Sequence, residues 1–229
     1  MGVYDSHVIL SCYYRTPVDR DYKMIEQDCS QVVTHYGRNR FSGLWDVATG
    51  PNGEVVIVDN GNSRVVVLDD KLNLLKVIGQ GTGNSKLVNP DGVAVTDNVI
   101  AVSDCGSHQV KKYSLQGELI SVIGCGNNNG QFNHPRGLAF NNNKLLYVVD
   151  AYNYRIQVFQ QNDTFAFSFD NRGSNNPGKF QFPVKIAIDP NNNVLVTDLY
   201  ANCIQIFSDS GEFIQTTDHM LLLLVLQVL

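Results

Sequence analysis

Four aspartates recur at a nearly constant interval, and they are the residues whose type and spacing could do chemistry. Asp59, Asp104, Asp150 and Asp198 are separated by 45, 46 and 48 residues, and each closes a short apolar run. Carboxylates brought together from successive repeats could bind a cation, because hard ions take several oxygen ligands. An aspartate after a strand also accepts hydrogen bonds from the loop that follows it. We predict the second role for all four, as structural repeat positions, and therefore neither a metal ion nor a cofactor.

The aspartates belong to a longer repeat. A small residue and a proline recur on the same interval, at Ala48, Ala94, Ala139 and Ala187 and at Pro90, Pro135 and Pro183. Self-similarity at a period near 45 residues predicts an array of one supersecondary unit, not two unlike domains. The predicted copies are residues 41–85, 86–130, 131–178 and 179–218.

Each copy predicts four short strands. The second of them, VVIVD, IAVSD, LYVVD and VLVTD in the four copies, is an almost continuous apolar run. Such a run predicts a strand that is covered on both faces. Asparagine and glycine occupy the breaks between strands, which is typical of tight antiparallel hairpins. We therefore predict an all-β chain, a β-propeller of four-stranded antiparallel blades whose alanines lie where the innermost strands converge.

The composition excludes several classes of protein. Apolar residues make up 43% of the chain and charged residues 17%, with a net charge of −5, which is typical of a folded soluble protein. The five cysteines include no C-x-x-C pair, so we predict reduced thiols in a cytoplasmic protein. We expect no secretory signal at the N-terminus, and residues 1–30 are predicted to be a lead-in segment and linker. Residues 219–229 form an apolar tail, predicted to be an aberrant end, whose MLLLLVLQVL run is half a membrane span, so no membrane partner is expected.

The repeat resembles the NHL repeat, which has a Pro-x-Gly-(Val/Ile)-Ala start, a strand ending in aspartate, and then Asn-x-Arg-(Ile/Val). The third copy reads Pro135-Arg136-Gly137-Leu138-Ala139, then Asp150, Asn153, Arg155 and Ile156, and the first supplies Asp59, Asn62, Arg64 and Val65. The second and fourth copies depart at the Asn and Arg places, with Ser107 and Gln109 and with Ala201 and Cys203. The resemblance covers residues 31–218 and implies a propeller of about six blades. The four copies would then be part of an incomplete six-bladed ring.

Within that family the lead-in resembles the stretch before the propeller of tripartite-motif (TRIM) NHL proteins. The matching residues are Arg20-Asp21-Tyr22-Lys23 and QVVTHYG at 31–37, which looks like the last strand of a blade. In that class a RING, B-boxes and a coiled coil precede the propeller, and the whole acts as an E3 ubiquitin ligase or as a repressor of messenger RNA. This chain has too few Cys and His residues for a RING, so we expect no enzyme activity in it.

The resemblance implies a binding or scaffold module that recognises a protein client in ubiquitin-dependent turnover. A second interpretation is single-stranded RNA binding in post-transcriptional repression. A third is an NHL-type propeller lyase, which cleaves peptidyl-hydroxyglycine with zinc and needs histidines at matching positions. The histidines here, His7, His35, His108, His134 and His219, fall at unlike places. No small-molecule substrate is expected.

The predicted recognition surface consists of the loops between second and third strands and the loops that enter each first strand. It carries basic and aromatic residues, Arg38, Arg40, Trp45, Lys86, Arg136, Tyr152, Tyr154, Lys179, Lys185 and Tyr200. Arginines bind phosphates and tyrosines stack on bases, but the same residues anchor protein interfaces or simply line a solvated rim. Arg64 and Arg155 are predicted to be structural, each pairing with a repeat aspartate or a loop carbonyl.

Overall fold

The computed structural model describes residues 41–170 and 177–217. Several predictions concern residues outside these ranges: the lead-in segment, the strand at 31–37, the recognition residues Arg38 and Arg40, and the tail at 219–229. Within the described ranges, no helix has the length and hydrophobicity needed to cross a membrane.

The described residues form sixteen strands in four antiparallel sheets, each made of four consecutive strands. The first blade comprises β1 (Leu44–Thr49), β2 (Val55–Asp59), β3 (Arg64–Leu68) and β4 (Leu74–Ile78). The second comprises β5 (Pro90–Thr96), β6 (Val99–Asp104), β7 (Gln109–Ser114) and β8 (Leu119–Ile123). The third comprises β9 (Pro135–Phe140), β10 (Leu146–Asp150), β11 (Arg155–Phe159) and β12 (Phe165–Asp170). The fourth comprises β13 (Pro183–Ile188), β14 (Val194–Asp198), β15 (Cys203–Phe207) and β16 (Phe213–Thr217).

This arrangement confirms the predicted all-β propeller of four-stranded antiparallel blades. The blades lie round a common axis, since consecutive inner strands β1, β5, β9 and β13 contact one another. The described residues hold four blades. The wider six-bladed ring stays a prediction.

The second strands are buried because neighbouring blades cover both of their faces. Every residue of β2 and of β10 is buried. Val58 of blade 1 lies in one core cluster with Val93 of blade 2, and Val149 of blade 3 lies in another with Ile186 of blade 4. Packed apolar surfaces of this kind supply most of the free energy that holds blade to blade.

The inner strands approach one another most closely where blades 2 and 3 carry glycine. A Cβ atom added to Gly92 would lie 2.5 Å from the carbonyl oxygen of Arg136, and one added to Gly137 would lie 2.9 Å from that of Val184. In blades 1 and 4 the same place, two residues before the repeated alanine, holds Asp46 and Lys185 instead. Their side chains pair across the axis with an Nζ–Oδ2 distance of 3.2 Å, so the first and last blades meet through an ion pair.

The hairpin turns between first and second strands use positive backbone φ angles, as their asparagines and glycines predicted, but not always at those residues. In blade 3 the positive φ, 61°, belongs to Lys144. Asn141 instead supplies a side-chain oxygen that accepts hydrogen bonds from the backbone N–H groups of Asn143 and Leu145, at 3.0 and 2.9 Å. Asparagine therefore stabilises this turn through its side chain and not through its backbone freedom.

Candidate functional site

The loop face is the end of the propeller where second strands end and first strands begin. In blade 3, Asp150 holds two loops of this face together. Its Oδ1 accepts a hydrogen bond from the backbone N–H of Asn133, in the loop that enters β9, at 2.7 Å. Its Oδ2 accepts bonds from Asn153 at 2.9 Å, from Nε of Arg155 at 2.7 Å and from Gln157 at 3.1 Å. Burial raises the pKa of this carboxyl against the opposing effect of these hydrogen bonds.

The other three repeat aspartates work in the same way within their own blades. Their main bonds run from Ser42 N and Arg64 Nε to Asp59 (2.8 and 2.7 Å), from Asn89 N and Lys111 Nζ to Asp104 (2.8 and 2.7 Å), and from Phe182 N to Asp198 (2.7 Å). Each carboxylate thus fixes the entry loop of its own first strand as well as the turn that follows it. Over residues 41–170 and 177–217, no group of three or more His, Cys, Asp or Glu side chains is placed to hold a metal ion.

Five aromatic side chains lie in a continuous row across blades 2, 3 and 4 of the loop face. We call this row the aromatic ladder: His108, His134, Tyr152, Phe182 and Tyr200. Successive ring centroids are 4.2, 4.2, 5.8 and 4.9 Å apart. Tyr152 is 46% exposed and Tyr200 is 69% exposed, so the row presents two large rings to solvent.

The ladder is built from two places in the repeat. His108, Tyr152 and Tyr200 lie in the turns between second and third strands. His134 and Phe182 each precede the proline that begins an inner strand. The turns and entry loops are joined by backbone hydrogen bonds, from Tyr152 N to the carbonyl of Asn133 at 3.2 Å and from Leu199 N to that of Phe182 at 2.9 Å. The five rings of the ladder are therefore positioned by the same loops that the repeat aspartates hold in place.

The two histidines are joined by a hydrogen bond as well as by ring contact. The backbone N–H of His134 donates to Nδ1 of His108 at 3.0 Å. A ring nitrogen that accepts carries no proton, so His108 is neutral in this arrangement. The His134 ring contacts Asn133, with 2.8 Å between Nδ1 and Oδ1. Burial, the His108 ring and the Arg136 guanidinium hold the pKa of His134 below its ordinary value.

Arg136 lies beneath the ladder. The carbon atom at the centre of its guanidinium is 5.3 Å from the centroid of Phe182, a cation–π arrangement. Its Nη1 is 3.3 Å from Oδ2 of Asp91, which is 2% exposed. Burial raises the pKa of the Asp91 carboxyl, against the opposing effect of Lys185 and Arg136. This cation is thus shared between an aromatic ring and a buried carboxylate.

The structure brings together only some of the predicted recognition residues. Tyr152 and Tyr200 are ladder rungs, and Arg136 contacts a rung. Tyr154 has a φ of 56° at the end of its turn and packs on the core between blades 3 and 4. Trp45 packs against the core between blades 1 and 2. These last two side chains contribute to packing and not to the ladder.

The other predicted basic residues that the structure describes make their recorded contacts outside the ladder. Nζ of Lys185 contacts Asp46 and donates to the carbonyl of Trp45 at 3.2 Å. The carbonyl of Lys86 accepts from Lys111, and that of Lys179 accepts from Gln205 at 2.8 Å, so these two loops are held by their backbone. Arg64 and Arg155 each pair with the aspartate of their own blade, at 2.7 Å.

Sequence reasoning missed His108, His134 and Phe182 as members of this face. Their positions in the repeat could have identified them, because each lies in a turn or an entry loop of the loop face. His108 is four residues after its aspartate, where the other copies have Ser63, Tyr154 and Asn202. His134 and Phe182 precede the repeated proline, where the second copy has Asn89. The residue types differ from copy to copy, so no shared pattern connects the rungs.

Comparisons with known proteins agree with this architecture. Four stretches match the family model described as NHL repeat, residues 41–68, 87–113, 132–159 and 180–207, which are the first three strands of each blade. No curated protein sequence matches the chain.

Solved structures with a similar fold are other propellers. A catalytically inactive variant of virginiamycin B lyase from Staphylococcus aureus, with quinupristin, has a TM-score of 0.61 at 15% identity over 80% of this chain and 58% of that one. A nidogen/laminin complex gives a TM-score of 0.61 at 18% identity over 80% of this chain and 66% of that one. The WD40 propeller domain of Doa1 gives 0.57 at 11% identity over 75% and 53%. The chain therefore spans about half to two thirds of the length of these structures, and the likeness shows the fold alone.

Proposed function

We propose that this chain of four NHL repeats is a non-catalytic binding module that receives a protein partner on its aromatic ladder. The observation that carries the proposal is the row of rings itself. Tyr152 and Tyr200 are exposed at 46% and 69% on a face whose loops are held by buried aspartates. Rigid, exposed tyrosines supply large contact area at little cost in conformational entropy, and they are enriched among the residues that dominate protein interfaces.

The charges on this face favour a protein over RNA. Single-stranded RNA binding combines stacking rings with cations that are available to phosphates. Here five basic side chains of the described residues already pair with carboxylates, as Arg64–Asp59, Lys111–Asp104, Arg136–Asp91, Arg155–Asp150 and Lys185–Asp46. These pairs reduce the number of cations that phosphates could engage, which favours a peptide or protein over a polyanion.

Single-stranded RNA is the second candidate, because stacked rings also accept bases. The two candidates differ in their dependence on salt. Binding to RNA loses affinity steeply as salt rises, since each neutralised phosphate releases counterions. Binding of a neutral or mixed-charge peptide to an aromatic surface changes little over the same range.

The module's place in a larger protein is also a proposal. The lead-in at residues 20–23 and 31–37 resembles TRIM-NHL proteins, which supports a role as the client-recognition part of a ubiquitin ligase. A cytoplasmic setting is part of the same proposal, since the cysteines of the sequence are odd in number and include no C-x-x-C pair. We expect the native transcript to encode a RING and a coiled coil upstream of Met1. A transcript that lacks both would contradict the ligase assignment. We do not extend the proposal to lyase activity, because the similarity to the lyase shows the fold alone.

The choice between partners is tested by two measurements on the full chain. The first is selection of peptides from a random display library against the immobilised protein. The second is fluorescence anisotropy with a labelled oligouridine of about 15 nucleotides in about 25 mM salt. We expect enriched peptides whose affinity hardly depends on salt, and no RNA binding. Tight binding of the oligouridine that fades with salt, without enriched peptides, would replace the protein partner with RNA.

A further inference from the structure

The three junctions between neighbouring blades on the loop face use different chemistry. An amide–amide hydrogen bond joins blades 1 and 2, two imidazoles join blades 2 and 3, and two aromatic rings join blades 3 and 4. The contacts are Asn60 Nδ2 to Asn89 Oδ1 at 2.7 Å, His134 N to His108 Nδ1 at 3.0 Å, and Tyr152 to Phe182 at 5.8 Å between centroids. Amides and phenyl rings do not titrate near neutral pH, whereas imidazoles do. Of these three contacts, the middle one alone is built from groups that change charge in the physiological range.

The geometry of the middle junction requires a neutral His108. Its Nδ1 accepts the N–H of His134, and a proton on that nitrogen would set one donor against another. A flip of the protonated ring would place a C–H group there and lose the bond as well. The bond depends on the charge of the His108 ring, because its donor is the backbone N–H of His134 and its acceptor is the His108 ring. The two rings are also in contact, at 4.2 Å between centroids.

Over residues 41–170 and 177–217, no carboxylate forms an ion pair with either imidazole. The charged groups on the strands and loops that carry the pair are Asp104 and Lys111, Asp150 and Arg155, and Arg136 with Asp91, and these carboxylates are bonded to the cations named beside them. The remaining neighbours are Asn133, bonded to the His134 ring, Tyr152, packed on it at 4.2 Å between centroids, and the carbonyl of Cys105, which accepts the His108 N–H at 3.3 Å. A proton on the His134 ring would therefore add positive charge close to the Arg136 guanidinium. The lowered pKa of His134 agrees with this arrangement.

We propose that the His108–His134 pair makes the ladder a pH-sensitive binding surface, which is assembled while the His108 imidazole is neutral and is disconnected between blades 2 and 3 when that ring gains a proton. Blades 3 and 4 keep Tyr152, Phe182 and Tyr200 in contact in the protonated state. The pH sensitivity concerns the structure of the free protein, and its effect on a partner rests on the proposed binding function.

The test measures the amide of His134 in the free chain by NMR-detected hydrogen exchange. The protection factor, which is corrected for the intrinsic pH dependence of exchange, is compared at about pH 7.5 and about pH 5.5, on either side of the ordinary histidine pKa of about 6.5. The matched variant is His108→Asn. Its side-chain oxygen can accept the same N–H, it does not titrate, and the fourth copy places Asn202 at this register with a φ of 52° against 56° for His108.

We expect the protection factor of the His134 amide to fall by about tenfold on acidification in the native chain and to stay unchanged in His108→Asn. A change of about tenfold is a usual size for the coupling between two sites in a protein. Equal protection at both pH values in the native chain would overturn the proposal, whether or not the variant folds. An equal fall in the native chain and in His108→Asn would also overturn it, because the fall would then come from another group.

A second measurement separates this proposal from the binding function. The affinity of a display-selected peptide is compared at the same two pH values. A pH step in amide protection without any selectable peptide would contradict the binding function and leave the pH-sensitive contact standing. A peptide that binds equally at both pH values, with the step present, would show that the contact does not regulate the binding face.

Discussion

Replacing Asp150 by asparagine tests whether the repeat aspartates hold the loop face together. The native carboxylate accepts four hydrogen bonds, one on Oδ1 from Asn133 and three on Oδ2 from Asn153, Arg155 and Gln157. An asparagine can keep the first bond with its oxygen. Its NH2 group then faces three donors, so the other three bonds are lost and the guanidinium loses its carboxylate.

The expected cost follows from the kinds of bond that are lost. The bond to Arg155 joins two charged groups and contributes about 1.5–3 kcal/mol, and each of the two amide bonds contributes about 1 kcal/mol. The sum, about 3.5–5 kcal/mol, agrees with the cost of removing one partner of a buried ion pair. Burial raises the pKa of Asp150, which means that the native protein already bears part of the cost of desolvating this carboxylate. We therefore expect a loss of unfolding free energy near the lower end of this range.

Asp198→Asn is the matched control. Asp198 is as buried as Asp150, at 0% exposure, but its side-chain partner on Oδ2 is the neutral Gln205, at 3.2 Å. Its other main bonds come from backbone N–H groups, including that of Phe182 at 2.7 Å. No cation is left behind, so we expect this variant to lose about 2 kcal/mol.

The assay is urea unfolding at pH 7 with thermal unfolding as a second measurement. A loss of about 4 kcal/mol in Asp150→Asn lowers Tm by about 8–16 °C in a chain of this size. If Asp150→Asn costs less than about 1 kcal/mol, or no more than Asp198→Asn, the ion pair does not stabilise these loops and the reasoning fails.

Three further changes are expected to act at other points of the fold. Gly137→Ala places a Cβ 2.9 Å from the backbone of blade 4 and should cost about 1–3 kcal/mol, whereas Gly124→Ala, with nothing within 4 Å, should be neutral in the same unfolding assay. Lys185→Met leaves the buried carboxylate of Asp46 without its cation and should cost about 1–3 kcal/mol; a double-mutant cycle with Asp46→Asn that shows no coupling would contradict the pairing. His134, whose pKa is lowered on folding, contributes stability that is complete above its unfolded pKa of about 6.5 and is lost as the pH falls through the folded value. Unfolding free energies measured across this range should therefore show a smaller acid loss in His134→Asn than in the native chain.

The fold could be predicted from the sequence because each blade needs the same residue types at the same positions, so these residues recur with a period of about 45. A strand covered on both faces requires continuous apolar residues, and an aspartate at its end serves two loops at once, so Asp59 and its counterparts recur in register. Close approach of the inner strands demands glycine in blades 2 and 3, as at Gly137, whereas blades 1 and 4 hold Asp46 and Lys185 at that place. Each of these constraints acts within one blade or between identical neighbours.

The ladder could not be predicted in the same way, because its five residues come from three registers of the repeat in successive blades. A turn residue of one blade meets an entry residue of the next, as His108 meets His134, and the chemical type changes at every junction. Tyr154 shows the opposite case, since its sequence neighbour Tyr152 is exposed while its own left-handed backbone directs it to packing. The ion pair between Lys185 and Asp46 could not be predicted either, because it joins residues of the first and the last blade that are far apart in the sequence.

The most direct test of the ladder as a binding face is the affinity of a display-selected peptide for Tyr152→Ala/Tyr200→Ala. The control is Leu75→Ala/Ile214→Ala, which removes two side chains of similar exposure, 55% and 50%, from the outermost strands of blades 1 and 4. We predict that the tyrosine variant binds at least about tenfold more weakly while the control binds as the native chain does, because exposed aromatic anchors dominate interfaces. Unchanged affinity in the tyrosine variant, or an equal loss in both variants, would contradict the assignment of the ladder as the binding face.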